Sequence, residues 1–152
     1  MPRSPIKYVL IAGLVTFIFA IAIGIILNVI NPETNTPIEK EIAEHMGFLI
    51  IYAILVAPFF ETLLFQMLII ELAGLLTSNV VVKISVSAVI FGAVHLANSI
   101  NNGIVIAITL GPVLGWTYIR WLEMTKTKAF FVTSFTHLVY NIPAVLVIFI
   151  SQ

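Results

Sequence analysis

At 152 residues, 61% hydrophobic and only 9% charged, the chain has too few ionisable side chains to cover a soluble surface, so it reads as an integral membrane protein. Seven basic residues balance seven acidic ones, which excludes the basic footprint of a nucleic-acid binder. The lack of cysteine excludes disulfides, thiolate zinc sites and thiol nucleophiles.

The first segment, MPRSPIKYVLIAGLVTFIFA, starts basic and runs apolar, as a signal peptide does. Its uncharged run continues from Tyr8 to Ile30, beyond the roughly 7–15 residues of a cleaved apolar region, which predicts a retained transmembrane helix. Next comes an acidic loop, where TPIE (Thr36 to Glu39) reads as an N-cap, a proline at the first helical position and a capping-box glutamate. A helix starting there would run into the second span. His45, four residues after Glu41, reads as a surface histidine and is given no role.

Four further spans of roughly membrane-crossing length follow: Phe48–Leu76, Val80–Asn98, Gly103–Arg120 and Ala129–Ile150. The third requires Lys83 to snorkel along its aliphatic stem. With the N-terminus cytoplasmic, Arg3, Lys7, Lys83, Arg120, Lys126 and Lys128 fall inside and only Lys40 outside, as the positive-inside rule favours. Trp116, Tyr118 and Trp121 would form an aromatic belt at the inner end of the fourth span. The expected fold is all-α: a polytopic membrane helical bundle of about five transmembrane helices, N-in and C-out, forming one membrane domain over residues 1–152. The expected location is the cell membrane.

The intramembrane polar residues are few: Glu61, Thr62, Gln66 and Glu71 on the second span, His95 on the third, His137 and Asn141 on the fifth. A carboxylate at membrane depth costs at least about 2.5 kcal/mol on insertion scales, so Glu61 should line a cavity or meet a partner. Glu71 lies near the inner end, within reach of the headgroups. Phe91 and His95 share a helix face at i, i+4, as do Thr62 and Gln66, and His137 and Asn141. Three helices thus turn polar faces towards one interior. A carboxylate, two imidazoles and a carboxamide suffice for hydrolysis, with Glu61 as general base for a water, His95 positioning it, and His137 and Asn141 donating to the oxyanion. Pro58 should free the carbonyl of Ile54, and Pro143 that of Val139, close to these groups. GPVLG, Gly111 to Gly115, reads as a small-residue packing face.

These segments resemble the motifs of the CAAX-protease and bacteriocin-processing (Rce1-like, Abi) intramembrane proteases. Its three motifs, EExxxR, FxxxH and HxxxN, correspond in order to ETLLFQ, FGAVH and HLVYN, over roughly Phe48 to Ile150. The resemblance implies peptide-bond hydrolysis in a membrane-embedded cavity, with Glu61 as the water-activating base and His95 beside that water. It assigns His137 and Asn141 to the oxyanion, and makes Phe91 a packing residue. Thr62 and Gln66 stand where the family motif has glutamate and arginine, and read as a neutral hydrogen-bonding substitute for an ion pair, in a supporting role.

The implied partners are a peptide or membrane-protein substrate and the lipid bilayer, with no nucleic acid. The implied cofactor set is empty. Zinc held by Glu61, His95 and His137 is the alternative that the residue types permit. The other functional class is a non-catalytic bacteriocin-immunity or peptide-binding membrane protein, and a third is a small channel or transporter subunit. By residue counting His95 lies nearer the outer end and His137 nearer the inner, so the two meet only through tilt, a kink or a longer third span.

Overall fold

The computed structural model describes residues 4–32 and 46–150. The TPIE cap, His45, the acidic loop around Lys40, and Arg3 lie outside the described residues. Five helices alternate in direction: α1 (Pro5–Ile30), α2 (residues 46–76), α3 (Val80–His95), α4 (Ile100–Leu122) and α5 (Lys126–Ile150). All but α3 are long and apolar enough to cross a membrane. The chain is an all-α, polytopic membrane bundle.

The polarity of the bundle is inverted relative to a soluble protein. Its outside carries large apolar side chains, such as Ile18, Val29, Phe60, Leu75 and Val81, while Thr62, Gln66, Ser87, Thr133, Ser134 and His137 are buried. Lipid tails are as apolar as leucine, so no hydrophobic force draws the helices together; close packing and interhelical hydrogen bonds do so instead. Glycine supplies the close packing. A Cβ on Gly111 would lie 2.9 Å from Ala88, and one on Gly13 would lie 2.6 Å from Val139. The GPVLG stretch does pack one face of α4 against α3, with Gly115 over Ile84.

Hydrogen bonds pin both ends. At one, Asn101 of α4 donates to the Asn31 carbonyl after α1, at 2.8 Å. At the other, the Tyr8 hydroxyl lies 2.9 Å from Thr117 Oγ1, and the Tyr8 ring meets Trp121 edge-on. This second end carries Lys7, Lys83, Arg120, Lys126 and Lys128, all the lysines and arginines among the described residues.

The third helix ends earlier than its apolar run. Asn79 caps its start, accepting from the N–H groups of Val81 and Val82, but the backbone turns after His95. The reason is Ser99, whose hydroxyl accepts from Asn102 N–H and starts α4 at Ile100, three residues before the expected Gly103. With 16 residues, α3 is about 24 Å long, short of the roughly 30 Å hydrocarbon thickness. Within α4 the backbone breaks at Thr109, three residues before Pro112, whose ring supplies no N–H.

Two of the three aromatics expected at the interface are interior instead. Trp116 faces outward, whereas Tyr118 and Trp121 are buried. The Tyr118 hydroxyl is satisfied inside, donating to Glu71 Oε1 at 2.7 Å, and Trp121 packs among Val9, Ile70 and Val132 with the Tyr8 ring edge-on and Lys128 over its face. Glu71 also accepts from Lys126 at 2.6 Å, so it ties α2, α4 and α5 rather than simply reaching for headgroups. Tyr118→Phe removes the more buried of these two bonds and is expected to lower stability by about 1–2 kcal/mol. Lys126→Met, at an exposed amine, should cost less than about 1 kcal/mol. Denaturation of both single variants and the double variant in one detergent gives the coupling.

Candidate active site

Glu61 sits at a seam in α2. The helix is wound as π-helix over Tyr52–Val56, returns to α-helix over Ala57–Glu61, and widens again over Thr62–Leu68. Such wide turns are rare and concentrate at functional positions, because each leaves backbone groups out of their usual pairing. Pro58 explains the first. Ala57 N–H reaches the carbonyl of Tyr52, so the next bond in that register would run from residue 58 to Ala53. Proline has no N–H, and Ala53 takes a side-chain donor instead: Asn141 Nδ2, at 2.8 Å from α5. The π register therefore moves the tied carbonyl from the expected Ile54 to Ala53. In the second wide segment the carbonyl of Phe65 accepts from Ser87 Oγ of α3 at 2.8 Å.

Helices α2 and α5 also bring Glu61 and His137 together. His137 Nε2 lies 3.5 Å from Glu61 Oε2, at the long end of hydrogen-bond range. His137 is 2% exposed and the Glu61 side chain 24%, so the carboxylate keeps an open side while the imidazole does not. Phe91, fully buried, is the plate on which both histidines rest. Its centroid lies 4.6 Å from the His95 ring and 5.6 Å from the His137 ring, both edge-on, with Phe65 against it at 5.3 Å.

Phe91 thus links the two histidines, which differ in level along the bundle, without a longer α3. Phe91 meets His137, and His95 stands one turn further along α3. The His95 ring folds back so that Nδ1 donates to the Phe91 carbonyl at 2.8 Å. In that tautomer the lone pair is on Nε2.

Thr62 and Gln66 do not form the expected bonded pair. Both are fully buried, and neither the Thr62 hydroxyl nor the Gln66 amide has a partner among the described residues. They fall in the wide Thr62–Leu68 segment, and both turn into the bundle without bonding to each other. Among the described residues no three His, Asp or Glu side chains form a metal-ligating group. An open groove of about 330 Å³ between α1, α4 and α5, bordered by Asn28, Ser99, Asn102 and Tyr140, is lined by neither Glu61 nor either histidine.

Sequence reasoning missed the parts that act through backbone: the π segments, the Ala53 carbonyl held by Asn141, and Ser87. Pro58 was the available signal for the first two, since a proline inside a span must leave a carbonyl without its donor.

No curated protein and no solved structure matches the chain. The family model for type II CAAX prenyl endopeptidases of the Rce1-like kind matches residues 43–143, roughly two thirds of the length and the whole of the segment carrying Glu61, His95, His137 and Asn141. The chain belongs to the Rce1-like family of type II CAAX prenyl endopeptidases.

Proposed function

We propose that this multi-pass membrane protein is an intramembrane endopeptidase in which Glu61 activates water against a peptide bond. The observation that carries the reading is the Glu61–His137 contact: a partly open carboxylate against a fully buried imidazole, at a break in the π/α winding of α2. Glu61 takes a proton from water, and the resulting hydroxide adds to the scissile carbonyl carbon. The oxygen that gains the electron pair accepts hydrogen bonds from His137 and Asn141. Glu61 returns the proton to the departing nitrogen as the C–N bond breaks, leaving a carboxyl and an amine. The free Nε2 lone pair of His95 accepts from the attacking water and orients it. The sequence needs no metal.

The Asn141 amide has two hydrogens, and the bond to Ala53 uses one. The other is left for the oxyanion, on a group that the Ala53 carbonyl already holds in place. Asn141→Ala is expected to lower kcat by about 10²–10³-fold, with a smaller change in KM, because the interaction is made in the transition state.

The substrate is a peptide or membrane protein whose scissile bond enters the bundle from the bilayer. The protein is placed in the cell membrane with its basic end cytoplasmic, N-in and C-out. Comparing membrane peptides by mass spectrometry from cells expressing wild type or Glu61→Ala at equal levels tests the enzyme reading. A new terminus found only with wild type is the expected result, followed by cleavage with purified protein. The neutral Thr62 and Gln66, standing where the family motif has charges, favour the second reading, a non-catalytic immunity or peptide-binding protein. Identical termini from the two folded proteins, with the right substrates present, would weaken the enzyme reading sharply and put that reading in its place.

A further inference from the structure

Buried polar atoms without a partner are few in any well-packed chain, and each calls for an explanation. Here most of them fall on two stretches, one of α2 and one of α5. Thr62 Oγ1, both polar atoms of the Gln66 amide, Thr133 Oγ1, Ser134 Oγ and His137 Nδ1 are all buried with no hydrogen-bond partner among the described residues. The residues carrying them are at most 2% exposed.

The pairing of α2 with α5 shows that they share a level. The two helices run antiparallel, pinned by Asn141 on Ala53, His137 on Glu61 and Lys126 on Glu71. Thr62 and Gln66 on α2, and Thr133 and Ser134 on α5, all fall between the last two pins. On α5, Thr133 and Ser134 stand four and three residues before His137 and so share its face. The ring atom that points away from Glu61 is Nδ1, and it is the unpartnered one.

Leaving several such groups dry would cost roughly 1–3 kcal/mol for each, more than the bundle gains from most of its interhelical hydrogen bonds. A site with several hydroxyls and an amide provides the two to four polar partners that an internal water requires. We infer that Thr62, Gln66, Thr133 and Ser134 enclose internal water that donates to His137 Nδ1, holding this imidazole with its proton on Nε2, towards Glu61. Thr133 and Gln66 are then positioning residues: they act on the reaction only through the His137 tautomer. The neutral pair at 62 and 66 thus has its own use, since hydroxyl and amide groups can bind water where an ion pair would be closed on itself.

The consequence for catalysis rests on the hydrolytic reading above, but the hydrated cage does not, and its test uses no substrate. Wild type, Thr133→Val, Gln66→Met and the double variant are labelled with ¹⁵N-histidine in nanodiscs, and the His137 resonances are assigned by their loss in His137→Asn. Expected for wild type is the Nε2–H form alone, with a cross-peak from Nδ1 to water. The double variant should convert a large share of His137 to the Nδ1–H form. Melting temperatures of both single variants should fall, because each removes a partner from a satisfied network. An unchanged tautomer in the double variant overturns the proposal. So does a rise in melting temperature on Thr133→Val, the result for a dry, unpaired hydroxyl replaced by a methyl of the same shape. If the tautomer responds while no cleavage is found in any assay, the cage stands and the peptidase reading falls.

Discussion

Glu61→Gln is expected to reduce peptide cleavage by about 10²–10⁴-fold, the contribution of a general base, without unfolding the protein. Glutamine keeps the shape of the side chain and a polar atom facing His137 Nε2, 3.5 Å away in the wild type. It cannot take a proton from water at neutral pH. Removing a carboxylate from the interior of a membrane bundle also removes the cost of keeping a charge there, so the melting temperature should not fall. The readout is product formed per folded molecule, with folding followed by thermal melting in the same detergent. A variant that loses cleavage and keeps its melting temperature assigns Glu61 to chemistry. One that loses both would make Glu61 a structural group, and full activity would remove the glutamate mechanism altogether.

Gly92→Ala is expected to have the largest effect on stability, although it adds one methyl group. That Cβ would lie 2.5 Å from Ala107 Cβ, 2.7 Å from the Gly103 carbonyl oxygen and 2.9 Å from Ala107 Cα. Two of these neighbours are backbone, so no rotamer change relieves the overlap and α3 must move away from α4. Overpacking of this kind costs about 1–3 kcal/mol. The displacement also reaches the site, because Gly92 follows Phe91, the residue on which both histidines rest. Activity per folded molecule should therefore fall along with stability. Gly24→Ala is the control: the nearest atom to its Cβ would be Val105 Cγ2 at 4.0 Å, and the change should stay within about 0.5 kcal/mol. Equal melting temperatures for the two variants would show that α3 and α4 are not held at this distance in the membrane.

The extent to which the site was legible depended on whether a residue acts through its own side chain or through backbone. Phe91 and His95, and His137 and Asn141, could be paired from spacing because i, i+4 neighbours share a face on any α-helix. Thr62 and Gln66 likewise both turn inward, but the hydrogen bond expected between them is not made, which spacing alone cannot decide. The end of α3 was misplaced because the apolar run continues through Leu96 and Ala97, while the helix boundary is set by the hydroxyl cap at Ser99, two residues beyond that run. Tyr118 and Trp121 have the composition of an interfacial belt, but Glu71 and Tyr8 draw them inside.

Amino-acid order by itself determined the membrane class, the existence of the helices, the residues that gather at the basic end, and which few polar residues are available for chemistry. Each of these follows from local quantities: apolar length against bilayer thickness, charge position, and residue type. Only the tertiary structure decided which of those groups meet. The registers of α2 against α5 and α3 against α4 are set by close contacts at glycine and by carbonyls that a proline or a wide turn leaves without a donor. Such contacts form between residues far apart in the chain, where no periodic pattern records them.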